Sequence, residues 1–215
     1  MVAMIRYRLA LLGHSQRYLP PVLLYLAVLA TQYTEPLSPL PPEYAISAGT
    51  MTVLACWLTI TTVAVESPAQ RLITLSHARR PARVPAGIVV AVLLCCLALT
   101  AVSLCWSLVV HSGGAATDVT IGALVHLAAA LAGIAIGLPC SALLIDRLGW
   151  TVIAAVAGLL VLIMVPWVPV LNPVLRALSG ITAPGPGIAV LSLAGALVLF
   201  GLSWVAVLVL EQRRR

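Results

Sequence analysis

The chain has 215 residues, of which 62% are hydrophobic and 8% are charged, and its formal net charge is +6. Soluble domains carry about 25% charged residues, so this composition excludes a cytosolic enzyme, a disordered chain and a nucleic-acid-binding module. All twelve basic residues are arginine. The absence of lysine excludes a P-loop ATPase, whose phosphate-binding loop needs that residue, and it excludes Schiff-base catalysis. The composition therefore predicts an integral membrane protein with several spans.

The first predicted element is a basic, partly amphipathic helix over residues 4–16. Its apolar residues Ile5, Leu9 and Leu12 share one helical face, as they do in helices that lie along a membrane surface. The alternative is a positively charged topology anchor, which accounts for the nearby basic residues without a helix. These residues are Arg6, Arg8 and Arg17.

Six apolar segments are predicted to cross the membrane as helices. A spanning helix needs about 20 mostly apolar residues, and a helix satisfies its own backbone hydrogen bonds in lipid. The predicted spans are about 19–32, 46–65, 86–110, 119–145, 151–165 and 188–210. The predicted fold class is therefore all-α, with one transmembrane domain over residues 1–215.

A short helix is predicted after the second span, over residues 67–77. Ser67 suits the N-cap and Pro68 the first helical position, while Glu66 would lie beside the positive end of the helix dipole. An apolar stripe follows at helical spacing, on Ala69, Leu72, Ile73 and Ser76. The alternative is a basic loop that rests on lipid headgroups.

The fourth predicted span carries a histidine and a pair of spaced glycines. His126 is interpreted as a neutral side chain that bonds to a neighbouring helix or lies near the outer interface, in preference to a proton relay or substrate contact. Gly133 and Gly137 form a GxxxG pattern, which serves either packing within the chain or dimerisation. The five cysteines of the chain fall inside spans without a CxxC spacing. They are interpreted as small apolar packing residues rather than metal ligands.

The stretch over residues 166–187 is too apolar for a free loop and too rich in proline for a span. Such segments dip into the membrane and return, or lie along the interface. Asn172 and Pro173 are predicted to cap a short helix there. The segment either gates the outer end of a pathway or fills space as an interfacial hairpin. Its candidate residues are Pro166, Pro169, Asn172, Pro173 and Arg176.

The arginines set the predicted orientation. With six spans, eleven of them lie on one side of the membrane, and only Arg176 lies on the other. The eleven are Arg6, Arg8, Arg17, Arg71, Arg79, Arg80, Arg83, Arg147, Arg213, Arg214 and Arg215. Because cytoplasmic loops carry the excess of basic residues, both termini are predicted to be cytoplasmic.

The acidic residues are predicted to lie outside the membrane interior. Glu35 and Glu43 are placed in the first external loop, Glu66 ends the second span, and Asp118 precedes the fourth. A charge at the bilayer centre costs about 2.5–3.5 kcal/mol on insertion scales. The predicted absence of buried carboxylates argues against a proton- or sodium-coupled transporter. It leaves a passive pathway, a structural subunit, or a pump driven by ATP that another chain binds.

Two motifs and the span count resemble a known family. The run Gln16-Arg17-Tyr18-Leu19-Pro20-Pro21 before the first span and the Pro-Ala-Gln-Arg loop after the second resemble permeases of the type-2 ABC exporter class. The likeness is greatest to the small actinobacterial permeases encoded as separate chains. It implies that residues 4–16 are an elbow helix, that residues 67–77 are the coupling helix, and that residues 166–187 form re-entrant outer helices.

The resemblance also implies partners and a mechanism. The coupling helix would dock on a separate ABC ATPase, present in two copies, which binds ATP and Mg, so this chain holds no cofactor and is not itself an enzyme. The implied coupling residues are Glu66, Ser67, Pro68, Ala69, Gln70, Arg71, Leu72, Ile73 and Leu75.

A second permease, identical or homologous, and membrane lipid complete the implied assembly, with no nucleic acid. The implied location is the bacterial plasma membrane and the implied cargo is hydrophobic or amphiphilic. Because the chain has no fused nucleotide-binding domain and no large external domain, it is unlike the lipoprotein-release exporters. The alternatives are a non-transporting anchor or assembly factor and a passive channel or carrier.

Overall fold

The computed structural model describes residues 2–67, 70, 74, 82–111, 116–145, 147–180 and 186–213. Within these residues the chain forms helices and no strand, as the all-α prediction requires. The described helices include α1 (Val2–Ser15), α2 (Leu19–Gln32), α3 (Leu40–Ala64), α4 (Arg83–Val110), α5 (Ala116–Cys140), α6 (Leu148–Met164), α7 (Asn172–Leu178) and α8 (Pro186–Arg213).

Four of the described helices, α3, α4, α5 and α8, are long and apolar enough to span a membrane. This indicates a membrane protein. Helices α2 and α6 are equally apolar but have 14 and 17 residues, fewer than the roughly 20 that a straight crossing requires.

Helix α3 begins earlier than the sequence predicts. The predicted start at residue 46 assumed that the prolines before it belong to a loop, yet the helix starts at Leu40 with proline in its first turn. Proline is tolerated there because those N–H groups have no intrahelical partner. The placement of Glu43 in a loop is therefore wrong, since Glu43 lies in the first turn of α3 and is buried.

Helix α5 is shifted toward the N-terminus relative to the prediction of 119–145. It starts at Ala116, which places Asp118 in its first turn rather than before it, and it ends at Cys140 just after Pro139. Proline has no N–H, so Pro139 leaves the carbonyl of Ala135 without its helical donor. The hydroxyl of Ser203 on α8 donates to that carbonyl at 2.6 Å, which joins the two helices at this point.

The centre of the fold is the contact between α3 and α5. A methyl group added at Gly137 would lie 2.7 Å from Thr59 Cβ and 2.8 Å from the carbonyl oxygen of Cys56, and one added at Gly133 would lie 2.8 Å from Ala55 Cβ. Only glycine permits this approach of two backbones. The GxxxG pattern thus serves packing within the chain, which was one of its two predicted uses.

Helices α6 and α8 face outward. Large apolar side chains remain exposed along both of them, for example Ile153 on α6 and Leu202 on α8. Trp150 and Trp167, near the two ends of α6, are also exposed. Tryptophan is enriched at both membrane–water interfaces, so this spacing is typical of an apolar helix with an interface at each end.

Candidate functional site

The candidate site lies where α1 meets the segment that follows α3. Helix α1 packs on the start of α4, where a methyl group added at Gly87 would come within 2.6 Å of Met4 Cγ. The chain then turns sharply at Gln16, whose φ of 55° lies in the left-handed region, and α2 begins at Leu19. A helix is thus present where residues 4–16 were predicted to form one, joined to α2 by a tight corner.

Two arginines of this region bind the end of α3. Arg17 Nη1 donates to the carbonyl oxygen of Ala64, the last residue of α3, at 3.3 Å. Helix ends carry unpaired carbonyls and partial negative charge, which a cation stabilises. Arg8 instead pairs with Glu66, with 2.5 Å between Nη2 and Oε2, and its side chain is 1% exposed. Arg8 is therefore a buried partner of the chain's own carboxylate.

The carboxylate of Glu66 connects three parts of the chain. Its side chain is 2% exposed, and its Oε1 atom accepts a hydrogen bond from Thr74 Oγ1 at 2.7 Å and a longer one from Tyr7 OH at 3.5 Å. Removing one member of a buried ion pair costs about 3–5 kcal/mol, because the other charge is left without compensation. Glu66 therefore holds α1, the end of α3 and the segment containing Thr74 in one arrangement.

A reciprocal pair of hydrogen bonds begins the segment after Glu66. Ser67 Oγ accepts from the backbone N–H of Gln70 at 3.3 Å, and Gln70 Oε1 accepts from the backbone N–H of Ser67 at 3.2 Å. This is the capping-box pattern of a helix N-terminus, and it agrees with the prediction of Ser67 as an N-cap. The role of Gln70 was missed, although its position three residues after Ser67 is the signal for it.

Glu66, Ser67 and Gln70 are the predicted coupling residues that the structure describes. Thr74 Oγ1 also lies 2.9 Å from the carbonyl oxygen of Gln70, one helical turn away, so its one hydroxyl proton is shared between this carbonyl and Glu66. The remaining candidates lie outside the described residues: Pro68, Ala69, Arg71, Leu72, Ile73 and Leu75. The side chain of Arg6, from the predicted interfacial helix, is exposed. We call Arg8, Glu66, Ser67, Gln70 and Thr74 the α1 junction.

The stretch after α6 folds back against the helices. Asn172 is the first residue of α7 rather than its cap, and Leu171 occupies the cap position. The predicted capping role of Asn172 is therefore wrong, because its Nδ2 atom donates instead to the carbonyl of Ile163 near the end of α6 at 2.6 Å. Pro173 lies in the first turn of α7, and Arg176 is exposed.

The segment before α7 is fixed from the other side by α8. The hydroxyl of Ser192 donates to the carbonyl of Val170, and Gly195 lets the carbonyl of Pro169 approach α8 closely. Pro166 follows the end of α6 at Met164. Val170 and Leu171 are buried, so this stretch is a packed part of the helical domain.

His126 lies in a second polar region, inside α5 and away from the α1 junction. It is fully buried. Its Nδ1 atom is 2.7 Å from the carbonyl of Gly122, and its Nε2 atom is 3.4 Å from Ser103 Oγ on α4. The interpretation of a histidine bonded to a neighbouring helix agrees with this geometry. Sequence reasoning missed Tyr33, whose hydroxyl lies 3.0 Å from the same serine oxygen, because the partners are distant along the chain.

Neither protein-family models, nor curated proteins, nor solved structures give a match to this chain.

Proposed function

We propose that this chain is the membrane-spanning permease subunit of an ATP-driven ABC exporter of the bacterial plasma membrane. In this proposal six helices cross the membrane, both termini are cytoplasmic, and separate ATPase subunits hydrolyse the ATP. A hydrophobic or amphiphilic molecule leaves the cell along the pathway. The observation that carries the proposal is the bridging position of Glu66, between α1, the end of α3 and the capped segment that begins at Ser67.

The proposed coupling element acts mechanically. A partner that moves the segment after Ser67 pulls on Glu66 through the chain and through the Thr74 hydrogen bond, and a displaced Glu66 must either carry α1 with it or break the Arg8–Glu66 pair. Because breaking a buried pair costs about 3–5 kcal/mol, movement of the joined parts as one unit is favoured. Arg17, bonded to the end of α3, continues the connection toward α2. Motion of the segment would thus reach α1, α2 and α3 together.

In this proposal Glu66 has a different role from the two polar residues that follow it, Ser67 and Gln70. The carboxylate of Glu66 is occupied inside the chain by Arg8 and Thr74, so its proposed role is to transmit force rather than to contact the ATPase. The side chains of Ser67 and Gln70 are on the exposed side. They would form the start of the docking surface, together with the predicted residues up to 77.

Six crossings are compatible with the two shorter helices. At 1.5 Å per residue, α2 and α6 are about 21 and 26 Å long, against a hydrocarbon thickness of about 30 Å. A short span is accommodated by local thinning of the bilayer at a modest cost. The tryptophans at the two ends of α6 support its assignment as a crossing, and an even number of crossings places the basic ends on the cytoplasmic side.

The test is to purify the tagged chain with its co-purifying ATPase and measure the complex and the ATPase rate. Charge-introducing changes at Ser67 and Gln70 are expected to weaken the complex and to lower permease-dependent ATP hydrolysis. The matched control introduces the same charge at Thr34, which is an exposed polar residue at the opposite end of the bundle. A complex and an ATPase rate that are both indifferent to changes within 67–77 would contradict the assignment.

A further inference from the structure

A buried acid–base cluster joins three chain segments at the end of the bundle opposite the α1 junction. Ser38 lies in the connection between α2 and α3, Glu43 in the first turn of α3, and His111 directly after α4. Glu43 Oε2 lies 3.4 Å from His111 Nε2, and the two side chains are 7% and 5% exposed. Ser38 Oγ contacts Glu43 Oε1 and lies 3.2 Å from His111 Nε2. We call these three residues the Glu43 cluster.

The protons of the cluster can be assigned from its hydrogen-bond partners. His111 Nδ1 lies 3.0 Å from the carbonyl oxygen of Ser107, and a carbonyl only accepts, so Nδ1 carries a proton. The single hydroxyl proton of Ser38 has two acceptors already, Glu43 Oε1 and the carbonyl of Glu35 at 2.9 Å. It is therefore not available to His111.

The contact between His111 Nε2 and Glu43 Oε2 consequently needs a proton of its own, and we assign it to Nε2 because an imidazole is a stronger base than a carboxylate. Nε2 faces Ser38 Oγ and Glu43 Oε2, and a proton on Nε2 is what turns these contacts into attractive ones. With protons on both ring nitrogens, His111 is a cation paired with the Glu43 carboxylate. Without the Nε2 proton, a nitrogen lone pair would face two oxygen atoms in a buried place, and the Glu43 charge would lose its counter-charge.

Other polar groups surround the Glu43 cluster, but the described residues include no second cation there. The ring of Tyr33, just after α2, meets the His111 ring edge-on at 6.4 Å. Tyr44 of α3 hydrogen-bonds Ser107 of α4 at 2.8 Å, and Asp118 at the start of α5 acts electrostatically on Tyr44. These neighbours are neutral or acidic, as is Glu35 in the connection between α2 and α3, so the positive charge that balances Glu43 is that of His111.

We propose that the Glu43 cluster is a proton-binding latch that closes this end of the bundle. With the proton on His111 Nε2, the ends of α2 and α4 are held against the start of α3. Loss of that proton replaces attraction by repulsion between acceptors, and these helix ends separate. Proton binding therefore favours closure, and proton loss favours separation of the helix ends.

The latch rests on the proposed function in one respect, since the orientation of the permease makes this the outer end. In that orientation the pH outside the cell would control how readily the pathway opens outward. The sequence predicts that no carboxylate is buried in the helices, and this absence argues against a proton-coupled transporter. Glu43 is buried, and its partner is the residue type that changes charge between about pH 5 and 8.

The test measures the separation of the helix ends in the purified full chain without an ATPase. Leu37 and Val109 flank Ser38 and His111 and are highly exposed. They are changed to cysteine in a background whose five native cysteines are replaced, and spin labels at both sites report their distance at about pH 5 and about pH 8. The expected result is a short distance at low pH and a longer one at high pH, with a change in the closed-to-open ratio of about ten- to a hundredfold.

Two substitutions with opposite effects make the test specific. His111→Arg keeps a permanent positive charge and is expected to give the short distance at both pH values. His111→Leu has no proton to donate to Glu43 and is expected to give the longer distance at both. Glu35→Gln, an exposed acid in the same connection, is expected to respond like the parent. A parent distance that does not change with pH, or an Arg variant that follows the parent, would overturn the latch.

This test and the test of the exporter function fail separately. A pH-dependent distance in a chain that supports no ATP-driven transport would leave the latch standing and remove the proposed function. ATP-driven transport by a chain whose label-to-label distance does not change with pH would support the proposed function and remove the latch.

Discussion

Replacement of Gly137 by alanine tests the close approach of α3 and α5. The added methyl group would lie 2.7 Å from Thr59 Cβ and 2.8 Å from the carbonyl oxygen of Cys56. Carbon atoms pack at about 3.5–4.0 Å, so relief of the contact with Thr59 requires a separation of at least about 0.8 Å between two packed helices. Because one crowded atom is backbone, rotation of a side chain cannot provide all of this room. We expect a loss of about 1–3 kcal/mol, the range for overpacked cores.

The matched control is Gly201→Ala on α8, where an added methyl group meets no atom within 4 Å. Both substitutions gain the higher helix propensity of alanine, so their difference isolates the crowding. Unfolding of each purified variant in detergent, followed by tryptophan fluorescence, measures the difference in stability. If Gly137→Ala is no less stable than Gly201→Ala, the described approach of α3 and α5 is wrong.

Two further substitutions test the junctions between helices. Glu66→Gln keeps the shape of the side chain but leaves Arg8 as a buried charge, so we expect its free energy of unfolding in detergent to fall by about 3–5 kcal/mol. The double change Arg8→Met with Glu66→Met should be less destabilising than Glu66→Gln. A larger loss in the double variant would contradict the pairing. Ser203→Ala removes the donor to the Ala135 carbonyl, which Pro139 leaves without a helical donor on α5. We expect the free energy of unfolding to fall by about 1–3 kcal/mol. Unchanged unfolding would show that this hydrogen bond does not stabilise the fold.

The positions of the apolar helices could be predicted from the sequence because lipid imposes a strong local signal. Their exact ends could not, and proline is the common reason. Before α3 the prolines resemble a loop but lie within the first turn. Near the end of α5, Pro139 is followed by a turn in which Ser141 Oγ donates to the carbonyl of Leu138 at 2.7 Å. In both places the same residue type is compatible with a helix or a turn, and the choice depends on partners outside the segment.

The candidate site likewise has a part that the sequence predicts and a part that it does not. The N-cap at Ser67 has a local signal, and it was predicted. The pairing of Arg8 with Glu66 and of Glu43 with His111 has none, because each pair joins residues separated by at least one apolar helix. An arginine before a span is typical of a topology anchor, and only the packing of α1 against α4 brings Arg8 next to a carboxylate. The pairing of buried charges follows from the fold, because the fold brings together residues that are distant along the chain.

In the proposed function, this chain transports its cargo only when another chain supplies ATP hydrolysis. The most direct measurement is uptake of a fluorescent amphiphile into inverted vesicles that contain the chain, the co-purifying ATPase, or both. We expect ATP-dependent uptake with both proteins together, none with either alone, and strong reduction by Glu66→Gln at matched protein levels. Uptake by the chain alone without ATP would instead indicate a passive carrier, and no uptake under any condition would indicate a membrane anchor.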